Sequence, residues 1–216
     1  MNHSLVMILS FSIIVPAIIG IFRFRKLNQI YFPFLLCIWI GLLNEFISVL
    51  LIDLFHVSNS VNTDIYCLME ALLYTWLFKN LNLFTSSKHY KLLLSFLCTA
   101  WLIDNFIISQ ITLFDSYFTI VYSLMIVLMS ITILNRLIVQ QINLLANSTF
   151  LICAALIVYF TLMALMEIFW LYGLNSSSIF RLNIYRIMSY INLSVNLIFA
   201  IAILWMHRKQ EFTLQQ

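Results

Sequence analysis

The sequence predicts an all-α polytopic membrane protein: a bundle of seven transmembrane helices with its amino terminus outside and its carboxyl terminus in the cytoplasm. Three observations carry that expectation. Of 216 residues, 63% are hydrophobic and only 9% charged, and mean hydropathy is +1.03, a balance that soluble globular domains do not show. Seven runs are long enough to cross a hydrocarbon core, which takes roughly 20 apolar residues per helix. The basic residues also fall in a pattern that alternates with those runs.

The runs cover 4–22, 31–55, 61–79, 91–113, 116–136, 149–174 and 179–206. The first has no basic segment before it and no A-x-A-like cleavage site, so it is expected to be a retained span. Arg23, Arg25 and Lys26 follow it. The second carries Asn44 and Glu45. The third shows Tyr66, Glu70 and Tyr74 at i, i+4 and i+8, one helical stripe, with Lys79, Lys88 and Lys91 after it. The fourth holds Asp104 and Asn105, and the fifth holds Tyr122 and Ser123 and ends near Arg136. The sixth carries Glu167. The seventh starts with Arg181 and Arg186, shows Tyr185, Ser189, Asn192 and Asn196 at steps of four, three and four, and is followed by Arg208 and Lys209.

Short loops rich in Lys and Arg stay cytoplasmic. Apart from Arg181 and Arg186, every one of the 11 basic residues falls on a single side, and that sets the orientation. The formal charge of +3 is then a topology signal, and nucleic-acid binding has no support. Connections are short, so one transmembrane domain over 1–216 in the inner (cytoplasmic) membrane is expected. Cys37, Cys67, Cys98 and Cys153 all lie within spans as small apolar packers.

An ionisable side chain at membrane depth costs at least a few kcal/mol, so it normally faces a bundle interior and has a partner. At ~1.5 Å of rise per residue, Glu70 lies ~12 Å below the outer end of its span, Glu45 ~15 Å, Asp104 ~14 Å and Glu167 ~10 Å. Arg186 reaches a similar depth. Four acids and one arginine thus share a layer in the outer half. With Tyr66, Tyr185, Asn192, Asn44 and Asn105 they describe an acidic, outward-opening cavity, above an inner half that reads as a packed apolar floor. Such carboxyls also serve as structure, protonated or paired between helices. One arginine cannot neutralise four carboxylates, and this tips the balance toward a site. Asp53, Asp64 and Asp115 lie near outer ends and are expected to be solvated. Asn80, Asn82 and Asn143 are expected in caps and turns.

His3, His56, His89 and His207 lie at or beyond span ends, so neither a zinc cluster nor a Ser-His-Asp relay assembles at depth. The seventh span has no lysine for a retinal Schiff base. No metal or cofactor is expected. Catalysis would be left to a carboxylate pair. Glycine and proline are scarce, at 3 and 2, which weakens a transporter built on broken helices.

"DIYCLME" at 64–70 and "NIYRIMS" at 183–189 share a core, and "FLLC" at 34–37 echoes "FLIC" at 150–153, at nearly equal offsets. The arrangement resembles the three-plus-one-plus-three plan of the SWEET and PQ-loop families, although Pro16 is followed by alanine where a PQ dipeptide would stand. "RFRKL", "NEF", "YCLME" and "INLSVNLIFAIAILW" are similar to a group of small seven-span bacterial inner-membrane proteins to which no activity is attached. The resemblance implies topology and interest in Glu45 and Glu70.

The function expected from these residues is binding of a small or lipid-like ligand by a receptor, sensory or accessory module. Its partners would be membrane lipid and a membrane-embedded protein. Glu45, Glu70, Asp104 and Glu167 would supply acceptors, Arg186 a counter-charge, and Tyr66, Tyr185 and Asn192 orientation. A small-solute transporter, a carboxylate-dependent lipid-modifying enzyme and a purely structural subunit stay open.

Overall fold

The structure, a computed structural model, describes residues 9–108, 117–139, 144, 147–171 and 178–206; the side chains of 178–183 and 185 lie outside the described set. Among the described residues the chain is all-helical, with seven α-helices. They are α1 (Ile14–Arg23), α2 (Phe32–Val49), α3 (Ser60–Asn80), α4 (Ser87–Ile103), α5 (Tyr117–Val139), α6 (Ser148–Leu171) and α7 (Ser178–Trp205). Each corresponds to one apolar run of the sequence. A 3-10 turn, Phe11–Ile13, leads into α1, and single π-helical turns extend α2 over Leu50–Leu54 and α4 over Asp104–Ile108.

Five stretches are long and apolar enough to cross a membrane: Gln29–Leu54, Ser87–Ile108, Tyr117–Val139, Ser148–Leu171 and Arg186–Trp205. The chain is accordingly a multi-pass membrane protein. The two helices outside this set have separate reasons. The α-helical part of α1 is only 10 residues long. α3 has ample length, but it carries Asn62, Asp64, Glu70 and Lys79. A helix wrapped by protein can hold such groups, because its polar side chains meet other side chains and not hydrocarbon. α3 is that helix: it packs on α2, α4 and α5, and Asp64, Glu70, Thr75 and Phe78 are all buried.

Neighbouring helices close a ring. α1 lies against α2 and α7, α2 against α3, α3 against α5, α5 against α6, and α6 against α7. α4 stands outside this ring, on α3 and lightly on α5. Successive helices run in opposite directions, as their end contacts require. At one end, Asn80 Nδ2 donates to the Ile30 carbonyl at 3.2 Å, Arg136 Nη1 to the Asn82 carbonyl at 2.8 Å, and Tyr31 Oη meets Thr149 Oγ1 at 2.8 Å. Arg23 Nη1 donates to the Leu204 carbonyl there as well. At the other end, Asn62 Nδ2 donates to Asn44 Oδ1 at 2.8 Å and the Phe118 amide to Asp104 Oδ2 at 2.8 Å.

Toward the basic end the ring interior is filled by Phe34, Leu77, Phe78, Ile133, Ile152 and Ile203, all almost fully buried. The expected apolar floor is therefore present inside the ring. A cavity flanks it, however, between the α1–α2 turn and the end of α3, where hydropathy alone led us to expect continuous packing. Outward-facing apolar side chains are left bare, with Phe22 81% and Ile107 76% exposed, as a lipid-facing surface requires.

Candidate functional site

Glu70 occupies the middle of α3, 10 residues from Ser60 and 10 from Asn80, which at ~1.5 Å per residue puts it ~15 Å from either end of the helix. The expected run, 61–79, and the observed helix, 60–80, both centre on residue 70, so Glu70 stands at the middle of its helix and not in the outer half. It is 5% exposed. Tyr66 Oη donates to Glu70 Oε1 at 2.9 Å, and Tyr122 Oη, on α5, donates to Oε2 at 2.9 Å. The i, i+4 spacing explains the first bond, since one helical turn stacks the two side chains on one face. The second crosses from α5 to α3 and ties the two halves of the ring together.

Beside this carboxyl lies a cavity of about 40 Å³, lined by Glu70, Tyr66, Tyr74, Tyr159, Asn192 and Asn196 together with apolar side chains of α2 and α7. That volume holds roughly one to three water molecules. Asn196 Nδ2 donates to Ser12 Oγ at 2.8 Å and to Asn192 Oδ1 at 3.3 Å, which joins α7 to the entry of α1. Gly41 on α2 makes room for this arrangement. A Cβ there would stand 2.9 Å from Ile13 Cδ1 and 3.1 Å from Tyr66 Oη.

The expected layer of acids does not converge as one group. Glu70, Tyr66 and Asn192 meet at the cavity. Glu45 is half-buried on α2, one turn from Gly41 and so on the face turned toward Tyr66, but it does not line the cavity. Asp104 is buried and accepts from the Phe118 amide, so it caps the start of α5; first-turn amides lack intrahelical partners and a carboxylate suits them. Asn105 Nδ2 turns back onto the Trp101 carbonyl at 3.0 Å. Asn44 belongs to a lattice between α2 and α3, in which Asn62 Nδ2 also donates to Asn59 Oδ1 at 3.0 Å and Asn59 Nδ2 to Ser48 Oγ at 2.8 Å. Glu167 is buried on α6 and Arg186 half-buried on α7, and neither lines the cavity. The Tyr185 side chain lies outside the described residues.

Asp64, expected in solvent, is buried, because α4 covers α3 at that level and Trp101 Nε1 donates to the Asp64 carbonyl at 2.9 Å. Asp53 is exposed as expected, and Asp115 and Asn143 lie outside the described residues. Asn82 has φ of 56° and ends α3: its amide reaches the Lys79 carbonyl and the Leu83 amide the Phe78 carbonyl, the paired bonds of a Schellman turn. Among the described residues no group of three His, Cys, Asp or Glu stands together as a metal site.

Tyr74 and Asn196 were visible in the sequence as parts of polar stripes, and Tyr122 beside Ser123 in the fifth run. Tyr159 was not, because no polar residue stands three or four positions from it on α6 to mark a stripe. The one signal available is its distance from Glu167, eight residues, which puts both on one face of the helix.

Chemically, a carboxylate has about four acceptor positions, and the two phenols use two of them. The remaining lone pairs, with the amides of Asn192 and Asn196, suit a small group that donates hydrogen bonds or carries positive charge. Acid–base chemistry with two carboxyls is less well served, since Glu70 is the acid lining this cavity. No family model, no curated protein and no solved structure matches the chain.

Proposed function

We propose that the protein spans the bacterial inner membrane seven times, amino terminus outside and carboxyl terminus in the cytoplasm, and binds a small polar ligand at Glu70 as a receptor, sensory or accessory module. One observation carries this proposal: a carboxyl at the centre of the helix ring, held by phenols from α3 and α5, borders a polar cavity. Burying an ionisable group there is expensive, and among the described residues its hydrogen bonds come from hydroxyls and not from a cation. A small cationic or hydrogen-bond-donating solute would complete its coordination. The cavity volume favours such a solute over a lipid-like one. Response to the ligand would pass to a membrane-embedded partner through the ring, since Tyr122 and Asn196 link Glu70's surroundings to α5 and α1.

A second reading, transport of the solute, is favoured by the helix arrangement. α4 stands outside the ring, with three helices before it and three after it in the chain, an order that supports the three-plus-one-plus-three plan suggested by the repeat at 64–70 and 183–189. The test is thermal unfolding of the purified protein with methylammonium, the smallest organic cation that suits this volume. Binding at 100 times Kd stabilises by about 2.7 kcal/mol, so the midpoint should rise by several degrees, and Glu70→Gln should abolish the rise. An equal rise in Glu70→Gln would overturn the proposal. Accumulation of methylammonium in proteoliposomes would favour transport over reception.

A further inference from the structure

A much larger cavity than the one beside Glu70 lies at the basic end of the bundle and has a volume of about 890 Å³. It opens between the turns that join α1 to α2 and the last turn of α3. Its walls combine two kinds of surface. Phe24, Phe32 and Trp76 supply aromatic faces, while Arg25 and Lys79 supply positive charge and Asn28 an amide. Among the described residues no carboxylate lines it. The charge asymmetry extends past the lining: Arg23, Lys26, Lys88, Lys91 and Arg136 are at this end of the helices, whereas Glu45, Asp53, Asp64, Glu70, Asp104 and Glu167 lie at mid-depth or toward the other end.

Hydrogen bonds and ring contacts tie the elements that form this cavity. Asn80 fastens the end of α3 to the Ile30 carbonyl, and Arg136 fastens the following turn through the Asn82 carbonyl. Phe32 stacks edge-on against Trp76 with centroids 5.8 Å apart, and the Phe24 ring is tilted against Phe32 at 6.1 Å. Lys79 Nζ sits 4.5 Å above the Tyr90 ring, a contact through the ring face that leaves ammonium hydrogens for an anion.

A ligand matching these walls has an anionic group beside an apolar body. Phe24 is 44% and Ile30 37% exposed, and Phe22, one turn before Lys26, is 81% exposed; the apolar wall therefore continues onto the lipid-facing surface. A free anion would leave that wall bare. We propose that this cavity seats one anionic glycerophospholipid, with the phosphate at Arg25 and Lys79 and the start of an acyl chain against Phe24, Phe32 and Trp76. Basic pockets between helices near the membrane surface recognise headgroups in this way, and guanidinium is well suited to phosphate oxygens.

Native mass spectrometry of the full-length protein, purified in detergent and titrated with phosphatidylglycerol or phosphatidylcholine, tests the site. The wild type should retain one phosphatidylglycerol with selectivity over phosphatidylcholine. Arg25→Gln with Lys79→Gln should weaken that retention by on the order of 10- to 30-fold, from the contribution of each cation near a headgroup. Lys88→Gln with Lys91→Gln removes the same charge from exposed positions outside the cavity and should leave retention close to wild type. Each single substitution at Arg25 or Lys79 gives a smaller loss in the same direction and serves if the double variant does not fold. Absence of selectivity in the wild type, equal loss in the Lys88/Lys91 variant, or equal binding of water-soluble glycerol phosphate would each overturn the assignment. None of these outcomes depends on Glu70 or on methylammonium.

Discussion

Replacing Tyr122 by phenylalanine removes a single oxygen from the centre of the bundle. The ring keeps its contacts with Phe118 and Phe160, at centroid distances of 5.1 Å and 5.7 Å, so the change is confined to what the hydroxyl touches: Glu70 Oε2 and the Cys67 thiol. Tyr122 is 1% exposed, and bulk water cannot replace the lost donor. Hydrogen bonds to charged groups contribute about 1.5–3 kcal/mol in soluble proteins, whereas side-chain bonds between membrane helices average about 0.6 and reach about 1.7 kcal/mol. We expect about 1–2 kcal/mol here, because the acceptor is a carboxyl and the bond links α3 to α5. In a Glu70→Met background, which keeps side-chain length but has no carboxyl, the same substitution should cost less than about 0.5 kcal/mol. The assay is thermal unfolding in micelles, followed by tryptophan fluorescence. At about 2–4 °C per kcal/mol for a chain of this size, Tyr122→Phe alone should lower the midpoint by roughly 2–8 °C. Additive losses, agreeing within about 0.3–0.5 kcal/mol, would refute the inferred bond.

Three further substitutions separate site from scaffold. Gly41→Ala drives a Cβ into Ile13 and Tyr66 and should cost about 1–3 kcal/mol by overpacking; combined with Tyr66→Phe, which makes space at the hydroxyl, its unfolding penalty should shrink. Asp104→Ala removes the acceptor for the Phe118 amide and should destabilise by about 0.5–2 kcal/mol, as helix caps do, with methylammonium affinity measured by calorimetry left near wild type. Asn62→Ala breaks the bonds to Asn44 and Asn59; hydrogen exchange should speed up at the facing ends of α2 and α3 while the midpoints of both helices stay protected.

Helix positions were legible because hydrophobic length is a one-dimensional property, and residues 31–55 or 61–79 could be read from it almost to the observed limits. Depth is one-dimensional too, and there it misled. Among the described residues Glu70 sits ten residues from the outer end of its helix whereas Asp104 and Glu167 sit four from theirs, and which side each faces depends on packing partners that are distant in the chain. Asp104 went to the amide of Phe118 because α5 begins beside it. The stripe Tyr66, Glu70, Tyr74 was readable because three polar positions at steps of four fix a face. Tyr159 had no such company on its apolar helix. Asp64 looked like a helix-end residue in solvent, and only the placement of α4 outside the ring explains its burial.

Infrared difference spectroscopy of the Glu70 carboxyl, recorded on adding methylammonium to the protein in lipid, tests the central claim most directly. The account predicts a perturbed carboxyl band that disappears in Glu70→Gln and persists in Glu45→Gln and Glu167→Gln. A band that survives in Glu70→Gln, or the absence of any carboxyl response in the wild type, would contradict it.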